Sequence, residues 1–135
     1  MTTTSPLAAS GLVALGGGAG AILRYQAGRA LTGLLGPAAV ASFPWATLFV
    51  NIAGSLAMGL LAGWLARHGS AGETWRLLVG VGLLGGFTTF SAFSLEMMML
   101  IERGQASTAF IYAAVSVLAG VTALYIGLIA MRLAA

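Results

Sequence analysis

The sequence predicts an all-α integral membrane protein, a single domain over residues 1–135 with four transmembrane helices, the third of them broken. Three observations predict it. The 135 residues are 59% hydrophobic and only 7% charged, with a mean hydropathy of +1.00; a soluble domain of this size could not hide that much apolar surface. Charge-free runs cover residues 2–23, 30–66, 77–95 and 104–131. A spanning helix needs roughly 20 apolar residues, so four spans fit and almost nothing remains for an extramembrane domain. The third observation is the run Gly85-Gly86-Phe87-Thr88-Thr89-Phe90-Ser91-Ala92-Phe93-Ser94 inside the third of those stretches. Two glycines, two threonines and a Phe-x-x-Phe pair are a poor recipe for an unbroken helix. Non-helical backbone at membrane depth is tolerated only where protein buries it or a polar cavity receives it, so the run points to an ion or substrate path and not to a simple anchor.

The first helix is predicted over 7–31. No Arg or Lys precedes it, so it is expected to be retained and not cleaved as a signal peptide. It carries Gly16-x-x-x-Gly20 and then Arg24, whose permanent cation either anchors the membrane interface or collects anions at a vestibule. A loop follows with Gly33 and Gly36-Pro37. Pro44 suits the start of a second helix over 44–66. Trp45 and Trp64 lie about 28 Å apart along that helix, close to one hydrocarbon thickness, as expected for an aromatic belt at each face. Thr47, Asn51 and Ser55 recur at i, i+4, i+8 and share one face. The Asn51 amide has donors and an acceptor that helix backbone cannot fully satisfy; it either bonds another helix or lines a wet path.

The second loop, with Gly69 and Gly72, holds the lone His68, expected to be solvated. The third helix is predicted over 74–102. Phe90 and Phe93, three apart, lie roughly on one face. A ring has a negative face but a positive edge, so ring edges can line an anion path without formal charge; the alternative is lipid-facing or core phenylalanine. Glu96 lies a turn or two inside the helix end and is costly there unless paired or protonated, so it is either a proton-coupling site or a snorkelling end residue. Glu102-Arg103 reads as interfacial. Gly104 marks a tight turn into a fourth helix over 105–132, on which Thr108, Tyr112 and Ser116 share a face. Membrane hydroxyls often bond only their own i−4 carbonyl, which is the competing account of these stripes. Gly16-x-x-x-Gly20, Gly59-x-x-x-Gly63 and Gly82-x-x-x-Gly86 let helices approach closely and say nothing about substrate.

Several function classes are excluded. Cysteine is absent, which removes disulfides, thiolate nucleophiles and cysteine metal sites. There is no Asp and one His, so no hydrolytic constellation forms and an enzyme is not expected. The net charge of +3 is too thinly spread for nucleic-acid binding. All six basic residues are arginine. With a cytoplasmic N-terminus, Arg67, Arg76 and Arg132 fall inside, and Arg24, Arg29 and Arg103 fall outside. The positive-inside rule then gives almost no preference. Either other cues orient the chain, or it inserts both ways round and dimerises antiparallel.

Taken together, Gly17-Gly18-Ala19-Gly20-Ala21-Ile22-Leu23-Arg24-Tyr25, Pro44-Trp45-Ala46-Thr47-Leu48-Phe49-Val50-Asn51-Ile52-Ala53-Gly54-Ser55 and residues 85–96 resemble the Fluc/CrcB family of fluoride channels over about residues 11–130. Ala92 is a small departure, where many members carry Thr. The resemblance implies passive fluoride export across a bacterial inner membrane by an antiparallel, dual-topology homodimer with two pores. It implies a structural sodium ion at the dimer centre, held by the backbone carbonyls of Gly85 and Thr88. Phe90 and Phe93 would form an aromatic box, with Asn51 donating to the permeating anion. Thr47, Ser91, Tyr112 and Ser116 would complete a polar track, and Glu96 would sit near one pore end. Fluoride is small and strongly hydrated, so a dry pore must replace water with donors yet let the ion leave. A small proton-coupled exporter is the runner-up, but its substrate-site carboxylate is expected in the first span, which has none. A non-transporting assembly subunit is a third reading, against which the broken helix and aligned polar stripes count.

Overall fold

The structure, a computed structural model, describes residues 4–134. Among the described residues there are four helices long and apolar enough to cross a membrane, Pro6–Leu35, Trp45–His68, Glu73–Glu102 and Ala106–Leu133, and no strand.

Helix α1 (Pro6–Leu35) begins with Ser5 as N-cap, its hydroxyl accepting from the Ala8 amide, and with Pro6 in the first turn, where a missing N–H costs nothing. It runs past the expected end to Gly36, whose φ of 84° is left-handed backbone that glycine adopts without strain. The loop expected next contains a short helix instead, α2 (Pro37–Ser42); Pro37 has the φ a first helical turn requires. Helix α3 (Trp45–His68) follows Pro44.

The third span is composite. A short α4 (Glu73–Trp75) leads into a π-helical stretch over Arg76–Leu84, then α5 (Gly85–Phe87) and α6 (Phe90–Glu102). The sequence reading had not anticipated the π-helical stretch, in which hydrogen bonds reach five residues back; the Gly85 amide, for example, donates to the Gly80 carbonyl. Between α5 and α6, Thr88 (φ −82°, ψ 159°) and Thr89 (φ −152°, ψ 128°) are extended. Helix α7 (Ala106–Leu133) completes the bundle.

The helices pack chiefly in two pairs, α1 against the first half of the third span and α3 against α7. Glycines make both contacts. Gly16 and Gly20 press on the backbone around Gly82 and Leu83, and Gly86 presses on Gly17. Gly59 meets Leu124, and Gly127 meets the backbone from Leu56 to Leu60. All three small-residue motifs therefore serve helix approach. A second cluster joins α3, α6 and α7: buried Leu48, Leu100, Ala109 and Tyr112, flanked by Phe43, Ile52, Phe93 and Met97. Elsewhere large apolar side chains face outward, among them Leu15, Leu118, Val121 and Ile126, as suits a surface met by lipid tails or another helix.

Candidate functional site

The extended pair Thr88-Thr89 is held by a side chain from another helix. Asn51 on α3 donates from Nδ2 to the Thr89 carbonyl at 3.0 Å and accepts the Thr89 amide on Oδ1 at 2.8 Å. In an unbroken helix the Thr89 amide would donate to the Gly85 carbonyl four residues back. Asn51 takes that amide, so Gly85 is left without its usual donor. The neighbouring hydroxyls finish the local structure. Thr88 Oγ1 donates to the Leu84 carbonyl at 2.8 Å, and Thr89 Oγ1 accepts from the Ala92 amide at 3.2 Å, an N-cap that starts α6. From α1, Arg24 Nη1 donates to the Thr88 carbonyl at 3.4 Å.

Of the two roles the sequence left open for Asn51, bracing another element accounts for Oδ1 and one Nδ2 hydrogen. The second hydrogen remains, and Asn51 lines an open groove of about 430 Å³ together with Ser55, Gly85, Thr88, Thr89 and Phe90. One donor can therefore face the groove while the rest of the amide holds the backbone.

Two helix turns away, three spans converge on Glu96. Thr47 Oγ1 donates to Oε1 at 2.7 Å and Tyr112 OH donates to Oε2 at 2.8 Å. Both carboxyl oxygens of Glu96 are thereby partnered within the bundle, so the side chain neither stands unpaired nor snorkels out from the helix end. Tyr112 is wholly buried, its ring 5.0 Å from that of Phe93 and 5.4 Å from that of Phe43. Sequence reasoning placed Thr47 and Tyr112 on separate stripes and did not join them to Glu96. The available signal was the cost of an acid at that depth, which demands donors. Arg103, read as interfacial from the sequence, donates from Nη1 to the Ala41 carbonyl of α2 at 3.3 Å, a partner the sequence does not reveal. Glu96 and Arg103 together line a small cavity of about 150 Å³ beside Phe43 and Pro44.

The other predicted residues lie around these two centres. Phe90 and Phe93 are in contact, with ring centroids 5.7 Å apart, but their surroundings differ: Phe90 is 78% exposed, and Phe93 packs on Tyr112. Ser91 is exposed, its Oγ 3.3 Å from Thr89 Oγ1. Ser116 Oγ is buried with no hydrogen-bond partner among the described residues, next to an open groove it shares with Ser55. Back-bonding to the i−4 carbonyl accounts for Thr88 and for Ser94, which donates to Phe90, but not for Thr47, Tyr112 or Ser116. Arg24 also lines an open groove of about 500 Å³ with Arg29, Thr32 and Thr47. His68 is exposed and stacks on Trp64.

Among the described residues no group of three His, Cys, Asp or Glu is placed to hold a metal ion. The oxygens suited to a hard cation are the Gly85 carbonyl, relieved of its amide, and the Thr88 carbonyl. The latter already accepts from the Arg24 guanidinium, so one of its two lone pairs is left, and two carbonyls alone are fewer oxygens than a hard cation takes.

Residues 11–128 match the family described as CrcB-like protein, Camphor Resistance (CrcB). Similar proteins include one of Novosphingobium aromaticivorans, 59% identical over 126 residues (93% of this chain and 98% of the relative). Another, of Erythrobacter litoralis, is 54% identical over 134 residues, 98% of each chain; a third, of Sphingopyxis alaskensis, is 53% identical over 120 residues, 89% of this chain and 92% of the relative. All three are named fluoride-specific ion channel FluC, a channel and not an enzyme. With four membrane-capable helices and a family match over most of its length, the chain is a multi-pass membrane protein that belongs to the CrcB family.

Proposed function

We propose that the chain is a fluoride channel, exporting the ion passively across a bacterial inner membrane as an antiparallel homodimer with two pores. The observation that carries the reading is the break at Thr88-Thr89 with Asn51 across it, because it places amide and hydroxyl donors at membrane depth with little formal charge. The names of relatives at 53–59% identity support fluoride as the anion; donor chemistry alone does not separate it from chloride.

In this reading the spare Asn51 hydrogen, the edges of Phe90 and Phe93, and the hydroxyls of Ser91 and Ser116 replace the water that fluoride sheds, and the hydroxyls of Thr47 and Tyr112 join them only by turning their single hydrogens from Glu96 to the passing ion. Ser116 Oγ, buried and unpartnered, suits such a role, since a buried hydroxyl without a partner is costly. Glu96 orients Thr47 and Tyr112 near one pore end. Arg24 lends a fixed positive charge to the vestibule and stays tethered to the break. A second, antiparallel copy would set its Gly85 and Thr88 carbonyls against these across a two-fold axis. A structural sodium ion there would join the two breaks and satisfy carbonyls that are costly in a membrane. The outward-facing Phe90 suits contact with that second copy.

The dimer is tested through orientation. Arg24, Arg29 and Arg103 oppose Arg67, Arg76 and Arg132, so two or three lysines added at one end should fix the insertion direction. Fluoride flux should then fall, and mixing oppositely biased versions should restore it. Full flux from a single version shown to insert one way only would exclude the antiparallel pair.

The Glu96 contacts keep the proton-coupled exporter as the competing account. Glu96→Gln retains an acceptor for one hydroxyl and a similar shape, so fluoride efflux should slow by less than roughly tenfold, about 1.4 kcal/mol, and wild-type efflux should not follow an imposed pH gradient. Arrest in the variant, with wild-type flux driven by the gradient, would favour the exporter.

A further inference from the structure

At the end of the bundle away from α2, the two helix pairs leave a groove between three spans. It is lined by Leu60, Leu61 and Trp64 of α3, Trp75 and Val79 of the third span, and Met131 of α7, with a volume of about 410 Å³. Its walls are almost wholly apolar. Trp64 and Trp75 meet edge to face at 6.3 Å, and tryptophan prefers the headgroup level of a bilayer. Each helix that lines the groove also carries an exposed arginine at this end: Arg67 three residues after Trp64, Arg76 beside Trp75, and Arg132 beside Met131. The fluoride path described above uses none of these residues.

We infer that this groove is a binding site for an anionic phospholipid, with one acyl chain between α3, the third span and α7 and the headgroup phosphate among Arg67, Arg76 and Arg132. The apolar walls account for the chain, and the tryptophans for the depth at which the headgroup lies. The arginines account for the charge, because basic residues at the membrane surface attract anionic lipid and guanidinium groups bond phosphate in bidentate fashion. A zwitterionic lipid would fill the same groove with less attraction. Glu73, partly buried two residues before Trp75, opposes but does not outweigh three cations.

Native mass spectrometry of the full-length protein, released from mixed micelles of phosphatidylglycerol and phosphatidylcholine with identical acyl chains, tests this. Wild type should retain phosphatidylglycerol preferentially. Each of Arg67→Gln, Arg76→Gln and Arg132→Gln should lower that preference about fivefold, the equivalent of about 1 kcal/mol per arginine, and the triple variant should hold both lipids equally. Val79→Trp should fill the groove and reduce retention of both. Millimolar inorganic phosphate should not displace the lipid, because it has no chain to bury. Circular dichroism and elution volume check that each variant is folded. Equal retention of both lipids by wild type would overturn the inference, as would an unchanged preference in the folded triple variant or displacement by phosphate alone. Cross-links that bury Trp75 and Val79 against a second copy would also overturn it.

Discussion

Asn51→Leu should abolish fluoride permeation, a loss of at least about 100-fold in efflux rate, while the protein still assembles. Leucine nearly matches asparagine in shape but can neither accept the Thr89 amide nor donate to the Thr89 carbonyl, the bonds seen at 2.8 and 3.0 Å. Two backbone groups would then be unpaired at membrane depth, at about 1–3 kcal/mol each. The chain can escape that cost by returning the Thr89 amide to the Gly85 carbonyl and straightening the break. In either state the donor that faces the groove is gone. Asn51→Asp should also lose permeation although it can still accept the Thr89 amide, since it loses both Nδ2 hydrogens and an ionised carboxylate offers an anion no donor. Efflux from liposomes at matched protein content is the measurement, with elution volume as the check on assembly. Wild-type flux through Asn51→Leu would remove Asn51 from the pathway and from the support of the break.

Gly20→Val should be strongly destabilising, as should valine at Gly16 or Gly59, which press on backbone as closely. A Cβ at Gly20 would lie on the Leu83 carbonyl oxygen and 2.8 Å from the Phe87 amide nitrogen. Both are backbone atoms, which cannot swing aside as a flexible side chain would. α1 must therefore part from the third span, losing the contact that positions Arg24 against Thr88. Overpacking of this kind costs typically about 1–3 kcal/mol, and here the valine branch adds to a clash that alanine would already make. Gly18→Ala is the matched control, because nothing lies within 4 Å of a Cβ there. Thermal unfolding in detergent should show a marked loss for Gly20→Val and little change for Gly18→Ala. Equal stability of the two variants would contradict the packing described for α1.

The four spans were legible because charge-free runs of the right length leave few alternatives in so apolar a chain. Asn51 and Glu96 could be picked out because each is out of place in an ordinary membrane helix, and Phe90 and Phe93 because they follow the Gly85-Gly86-Phe87-Thr88-Thr89 run. Their partners could not be read, because partnership depends on how spans distant in sequence are rotated against one another. Periodicity put Thr47 on the Asn51 stripe and Tyr112 on the Ser116 stripe, yet both turn to Glu96 on a third helix. The π-helical stretch was hidden for a similar reason: Gly80 and Gly82 permit several helical forms, and the close approach of Gly16 on α1 accompanies the one adopted. α2 gives no periodic signal in the sequence because its six residues make fewer than two helical turns.

The central claim is that this chain forms a passive, fluoride-selective path. Its most direct test is efflux from liposomes containing the purified protein, loaded with fluoride or chloride at equal concentration, with no pH gradient and with potassium and valinomycin to balance charge. The account predicts rapid fluoride release, chloride release at the level of protein-free liposomes, and no fluoride release above that level from Asn51→Leu. Fluoride retained by the wild-type liposomes, or chloride released as fast as fluoride, would contradict it.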